Sequence, residues 1–262
     1  MASAWGEQAD YVDARAAEAT QRLLALARPR PGDRVLELAC GAGGVGIAAA
    51  ALVAPGGEVV LSDVVPEMAR IAADRASGLE NVSTRVLDLE RIDEPDGAYD
   101  VVLCREGLMF ALDPAAAAGE IARVLRRGGR VALAVWGPRE RNPWLGIVLD
   151  SLSEQLGMPF PPPGVPGPFA LADADGLAAL LTGAGLADVA VSELAVPLRA
   201  GSVEEWWTRT LALAGPLSQV VAALPAEARR ELRERAGRAV APYATADGLE
   251  IPGVTLLASA RA

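Results

Sequence analysis

The chain contains no histidine, and its 24 basic residues are all arginine. Without histidine or lysine there is no Ser–His or Cys–His catalysis, no histidine-ligated metal, no lysine Schiff base and no P-loop lysine. Any chemistry must come from carboxylates, tyrosine, arginine, backbone groups or a cofactor. Cysteine is scarce. Cys40 and Cys104 make no disulfide framework and lack metal-ligand spacing. Basic charge is outnumbered by 34 acids, for a net charge of −10. That deficit argues against nucleic acid and against an anionic membrane as partner. No apolar run approaches the roughly 18 residues of a membrane helix, and no charged-then-apolar leader opens the chain. A soluble, cytoplasmic protein is the expectation.

What is present is apolar bulk. The 262 residues are 52% hydrophobic, enough for one large α/β domain with a small cap. Residues 7–27 carry apolar positions at helical spacing, and "RPRPGD" at 28–33 stops that helix. From 34 to 136, apolar runs alternate with helical segments: "RVLELA", "EVVLSDVV", "NVSTRVLDL", "YDVVLC" and "RVALAVW" read as strands. Alternation of this kind predicts βαβ units and a parallel sheet, with the loops after each strand gathered along one edge. After Trp136 the pattern loosens into a helix, a Pro-rich loop at 159–169, a helix, a strand near 187–196, a helical stretch at 203–241 and a last strand.

"VLELACGAGGVG", residues 35–46, is the informative stretch. Gly41, Gly43 and Gly46 spell G-x-G-x-x-G, which a dinucleotide-binding loop would also show. Glycines there permit a tight strand-to-helix turn in either case, so charge has to discriminate. Three acids fall near the expected edge: Glu37 inside the first strand, Asp63 ending the second and Asp88 ending the third. A carboxylate about 6 Å from a pyrophosphate costs about 3 kcal/mol per charge at an effective dielectric of about 20. A ligand with net positive charge is favoured instead. Asp63 is ambiguous, since nicotinamide enzymes place an acid there for the ribose, and Asp88 could be a simple capping residue. Glu37 discriminates, because a charge inside an apolar strand is seldom left without a partner.

Taken together, "VLELACGAG", "LSDVVPEM", "VLDLE", "YDVVLCREGLMF" and "LRRGGRVALAVWG" resemble, in order and spacing, the motifs of class I S-adenosylmethionine-dependent methyltransferases of the small-molecule type. The resemblance is close over residues 5–137 and looser to the end. It implies a Rossmann-like, doubly wound, mostly parallel seven-stranded sheet with helices on both faces, an antiparallel last strand and helical cap elements. It implies one domain over 1–262: a lid helix at 1–30, a cofactor core at 31–137, cap elements at 138–185 and 200–245, and closing strands at 186–198 and 253–262. The implied cofactor is S-adenosylmethionine. By position, Glu37 would hold its ammonium, with backbone at Ala39, Gly41 and Gly43 on the methionine part. Asp63 would take the ribose hydroxyls, Val64 and Met68 would pack on adenine, and Asp88 and the Leu89 amide would read its edge. Cys104 and Arg105 would line the methionine and acceptor side, with Trp5 and Tyr11 closing over the cofactor. The chain departs from the family in having Ala39 where glycine is usual, and in lacking a histidine base.

Methyl transfer needs mainly alignment and dehydration, worth about 7–11 kcal/mol for alignment alone. If a base is needed, Glu106 in "CREGLMF" is the first candidate and Tyr11 the second, with a salt bridge to Arg105 or another arginine as the plain alternative for Glu106. Met109, Phe110, Trp136, Trp144, Phe169, Trp206 and Trp207 are candidate linings of an apolar acceptor pocket, and core packing explains each equally well. The acceptor expected is a small, natural-product-like molecule methylated on oxygen or carbon. A cofactor-binding protein of this fold without methyl transfer, such as a cyclase, a nicotinamide-dependent oxidoreductase and a non-catalytic scaffold are the rival readings. A homodimer is left open.

Overall fold

The computed structural model describes residues 2–262. Three helices, α1 (Ala2–Glu7), α2 (Ala9–Arg15) and α3 (Ala17–Ala27), precede β1 (Arg34–Glu37), α4 (Gly44–Val53), β2 (Glu58–Asp63), α5 (Pro66–Arg75), β3 (Val82–Val86) and β4 (Tyr99–Arg105). Then come α6 (Pro114–Val124), β5 (Leu125–Trp136), α7 (Pro143–Leu156), α8 (Ala174–Gly183), β6 (Ala187–Ala195), β7 (Leu198–Ala200), α9 (Val203–Leu213), α10 (Gly215–Ala223) and α11 (Ala226–Val240). The chain closes with β8 (Ala244–Thr245), β9 (Gly248–Ile251) and β10 (Val254–Arg261).

The main sheet has seven strands in the order β3-β2-β1-β4-β5-β10-β6. Neighbours from β3 through β5 pair parallel, and β10 runs antiparallel to both β5 and β6. The expected architecture is therefore present, down to the antiparallel last strand. Strand order turns back at β1, whose neighbours are β2 and β4. In an open α/β sheet the crevice at such a switch point is where ligands bind. Val35, Leu36, Leu61, Val101 and Leu103 are fully buried, so the central strands are apolar on both faces. Asp113 caps α6 by accepting the amides of Ala115 and Ala116.

The terminal boundaries need correction. Within 1–30, expected as one lid helix, the described residues form three helices ending at Ala27. Leu23 and Ala27 of α3 are buried against the main sheet with Val35 and Val59, so only α1 and α2 lie apart from the core. The stretch 138–185 is likewise not all cap. Leu177 and Leu181 of α8 pack in the main core with Leu133 and Leu256. The cap proper is built by α7, α9, α10 and α11 around Trp144, Trp206 and Leu232. It also holds a second sheet, β7-β9-β8, which pattern reading missed because its strands are two to four residues long. Among the described residues, no helix is long and apolar enough to cross a membrane.

Candidate cofactor and acceptor site

The loop after β1 carries the first part of the site. Gly41 and Gly43 take φ of +54° and +83°, a region open to glycine, and Gly43 is the N-cap of α4. The third glycine answers to packing. A Cβ on Gly46 would lie 2.2 Å from Leu61 Cδ2 and 2.7 Å from Glu37 Oε2. Without that Cβ, Glu37 reaches the start of α4, where Oε2 accepts the Gly46 amide at 2.7 Å. The side chain is 1% exposed. Burial pushes its carboxyl up to about 7, against the opposing pull of Arg105 and the Gly46 amide. Among the described residues, no arginine stands within ion-pair distance of Glu37. It is a sealed carboxylate facing a helix N-terminus, with no counter-ion of its own.

Ala39, where the family usually has glycine, sits at φ +49°. An L-residue there costs about 1–2 kcal/mol. Its methyl has room because residue 107 is glycine. A Cβ on Gly107 would come within 2.4 Å of Ala39 Cβ and 2.9 Å of Cys104 Sγ. The loops after β1 and β4 are thus fitted to each other.

Asp63 is 7% exposed and ties two loops together. Oδ2 accepts the Gly41 amide and Oδ1 the Val65 amide, both at 2.9 Å. Burial raises its carboxyl and these two amides counter that. Asp63 pairs in register with Val86, two residues before Asp88. Asp88 is exposed and Oδ1 accepts the Glu90 amide, the capping contact expected of a turn acid. Val64 is exposed, Leu89 half-buried, and Met68 is buried beside Ala9, Ala42 and Ile71, with Trp5 packed against them. The β2–β3 end of the edge therefore lies against the lid.

The lid is held by an ion-pair cluster that sequence reading did not find. Asp13 of α2 accepts from Arg75 at 2.7 Å and from Arg105 at 3.3 Å. Arg75 also donates to the Ala42 carbonyl at 2.6 Å, and Arg105 to Thr20 Oγ1 at 2.6 Å. Asp13 lies so close over the glycine loop that a Cβ on Gly44 would meet its Oδ1 at 1.9 Å. On its other side the lid meets the cap. Trp5 Nε1 donates to the Leu213 carbonyl at 3.1 Å, and Arg209 stacks on Tyr11 at 3.9 Å. Tyr11 thus faces a cap arginine. No sequence signal singled out Asp13, since its partners stand 62 and 92 residues away.

Glu106 follows β4 with φ +59°, its amide donating to the Ala134 carbonyl at 2.7 Å. The αL conformation of a glutamate at a strand end marks a constrained position. Of the alternative salt bridge of Glu106 to Arg105 or another arginine, the Arg105 form is absent, because Arg105 turns to Asp13 and Thr20. Burial disfavours the Arg15 cation, and the Glu106 charge is near enough to oppose that. Cys104 is in the core, and burial pushes both its thiol and that of Cys40 up, away from nucleophilic use.

Several aromatic calls are corrected by packing. Met109 is fully buried in the main core. Trp206 and Trp207 are both buried in the cap core, and Trp206 Nε1 donates to the Trp144 carbonyl at 2.8 Å. All three are packed in core clusters. Phe110 is half exposed. Trp136 and Phe169 are half-buried, with Trp136 edge-on to Trp144 at 4.9 Å and 6.1 Å from Phe169. Trp144 is buried, but one face of its ring carries Arg15 at 4.0 Å. Among the described residues, no group of three or more acids or cysteines is placed to hold a metal ion.

Comparison with known proteins identifies the family. A family model described as a methyltransferase domain matches residues 35–129. Nocamycin O-methyltransferase of Saccharothrix syringae is 35% identical over 203 residues, covering 70% of each chain. The chain belongs to the class I S-adenosylmethionine-dependent methyltransferases. Within that class, the ubiquinone/menaquinone biosynthesis C-methyltransferase UbiE of Cupriavidus metallidurans is 36% identical over 47% of this chain and 56% of its own. An uncharacterised protein of Mycobacterium tuberculosis is 42% identical over 42% of this chain, a match that spans 39% of that relative's length. The crystal structure of the YcgJ protein from Bacillus subtilis superposes with a TM-score of 0.62 at 20% identity, covering 93% of this chain and 98% of that one.

Proposed function

We propose that this chain transfers the methyl group of S-adenosylmethionine to a small, partly apolar acceptor, on oxygen or carbon. One observation carries the reading. Glu37 is a buried carboxylate at the switch point of the sheet, with Arg105 acting on it from beyond ion-pair distance and no ion pair of its own among the described residues. A ligand that brings an ammonium and a sulfonium supplies the missing charge. A dinucleotide pyrophosphate would add to the imbalance.

Bound S-adenosylmethionine supplies an already activated methyl group. Glu37 would hold its ammonium, and the backbone from Ala39 to Gly43 its methionine part. Asp63, pinned by two amides, would present its remaining lone pairs to the ribose hydroxyls. Val64, Met68, Asp88 and Leu89 stand at the β2–β3 end, where adenine would lie. The lid excludes water by carrying Asp13 across the glycine loop. Glu106, fixed at the end of β4, is the candidate to take the acceptor's proton on a carboxylate oxygen. Trp136, Trp144 and Phe169 offer the apolar wall of the acceptor site. A natural-product-like acceptor is the class favoured by the likeness to the nocamycin enzyme. Free Cys40 and Cys104 suit a reducing compartment, and we place the protein in the cytoplasm.

Calorimetry with S-adenosylmethionine, S-adenosylhomocysteine, NADH and NADPH tests the reading. The two sulfur ligands are expected to bind at micromolar concentration and to be lost in Glu37→Ala. Binding of a nicotinamide nucleotide alone would overturn it. An acceptor screen that follows released S-adenosylhomocysteine then separates methyl transfer from conversion without it. The [4+2]-cyclase SpnF shares this fold with a TM-score of 0.56, so that arm is needed.

A further inference from the structure

Four buried side-chain polar atoms lack a hydrogen-bond partner among the described residues: Gln8 Oε1, Arg15 Nε, Thr210 Oγ1 and Tyr99 Oη. Three of the four lie where lid and cap meet. Gln8 precedes α2 as its N-cap and Arg15 ends it, seven residues on, with Tyr11 between them stacked under Arg209 of α9. Thr210 follows Trp206 by one turn of α9, and Trp206 holds Trp144, whose ring carries Arg15. Three residues past Thr210, Leu213 holds Trp5 of the lid. A partnerless buried polar group is costly, and more so when charged, so such groups seldom gather without use.

Arg15 is the pivotal member. It makes no ion pair within 4.0 Å and no side-chain hydrogen bond among the described residues. Stacking on Trp144 holds the guanidinium plane in place but leaves its edge of donors unused. Bridging water would satisfy Thr210 and Gln8 yet give Arg15 no partner within ion-pair distance. The Glu106 carboxylate acts on the guanidinium only through its charge, against the burial that disfavours the cation.

We propose that Arg15, with Gln8 and Thr210, recognises an acidic oxygen on the methyl acceptor, so that the substrate class is an apolar molecule bearing a carboxylate, enolate or phenolate. The proposal rests on the methyltransferase reading. Arg15 pairs with the anion through its planar fork, Thr210 and Gln8 complete the polar wall, and the Trp136–Trp144–Phe169 cluster takes the apolar body. Occupying the subsite joins lid, core and cap, because its three residues come from two of them and Glu106 from the third.

Calorimetry on the full chain loaded with S-adenosylhomocysteine tests this with matched probes. Cinnamate is compared with cinnamamide, and 4-nitrophenolate with 4-nitroanisole, at pH 8. At least one anion is expected to bind tenfold or more tighter than its neutral partner, and which anion does so separates carboxylate from phenolate acceptors. Arg15→Met is expected to abolish the preference while binding S-adenosylhomocysteine as the parent chain does. Equal binding of anionic and neutral probes, no anion binding below 5 mM, or a preference kept in Arg15→Met overturns the proposal. Should Arg15→Met fail to fold, Thr210→Val and Gln8→Leu decide it: a threefold or greater loss of anion affinity is expected, and no loss overturns it. A parent chain that does not bind S-adenosylhomocysteine would refute the underlying reading instead.

Discussion

The carboxyl edge of the sheet and the lid–cap junction treat polar groups in opposite ways. At the edge, Glu37 and Asp63 are buried and each accepts backbone amides, from Gly46 and from Gly41 and Val65. At the junction, one polar atom each of Gln8, Arg15 and Thr210 is buried without a hydrogen-bond partner among the described residues. The edge is pre-organised by main chain, so its geometry holds before any ligand arrives. The junction assembles from two helices remote in sequence, and its polar groups wait on something that neither helix supplies. A binding site can thus be half rigid frame and half unmet demand, and the two halves should answer differently to mutation.

The largest effect should come from the cap core. Trp206→Ala removes a fully buried indole and its bond to the Trp144 carbonyl. A stability loss of about 3–5 kcal/mol is expected. Denaturant unfolding measures it. If Trp206 instead lined the acceptor site, affinity would fall and stability would hold.

Glu37→Ala should act the other way, costing about 2–5 kcal/mol in S-adenosylmethionine affinity by calorimetry. The ligand-free protein should be no less stable for it near pH 8, because the lost group is a buried charge.

The pH dependence follows from the same residue. Its carboxyl is pushed up to about 7 by burial, from an unfolded value of about 4.3. Between those values the folded state binds more protons than the unfolded state. This group's contribution to stability therefore falls as pH rises through that window. Ligand binding runs opposite, since a cationic ligand needs the ionised form. Affinity should drop by up to about tenfold per pH unit below 7, with proton release on binding near pH 6.5. Calorimetry in buffers of different ionisation enthalpy checks both signs, and Glu37→Gln should flatten the profile.

Asp13→Asn should loosen the lid by about 1 kcal/mol, the scale of a partly exposed ion pair. It would show as faster amide exchange over residues 9–15. Gly44→Ala should do the same by pushing on Asp13 Oδ1, and the two changes should not add. Leu112→Ser sets the floor. At 81% exposed it should change stability by less than about 0.5 kcal/mol.

Particular residues show how far pattern reading reaches. Glu37 and the glycines were legible because a strand end and the turn after it are contiguous in sequence. Asp88 was legible only as an ambiguity, and its contact with the Glu90 amide is the turn contact. Met109, Trp206 and Trp207 were left open between pocket lining and core, since large apolar side chains mark burial and binding alike, and they lie buried in the core. Asp13 and Arg15 were missed as site residues. Nothing local separates them from any other charged residue on a surface helix.

By itself the sequence determined the alternation of strands and helices, the glycine turn after β1 and the acids at the carboxyl edge. These follow from hydrophobic period and from turns only glycine makes freely, which are properties of neighbours in the chain. Only the tertiary structure decided that the N-terminal stretch breaks into lid and core helices, that Asp13 locks onto Arg75 and Arg105, and that Arg15 lies unpaired on Trp144. Those outcomes depend on which surfaces meet after the chain has crossed the sheet. Burial and the loss of solvent at that meeting, rather than any local preference, give those charges their roles.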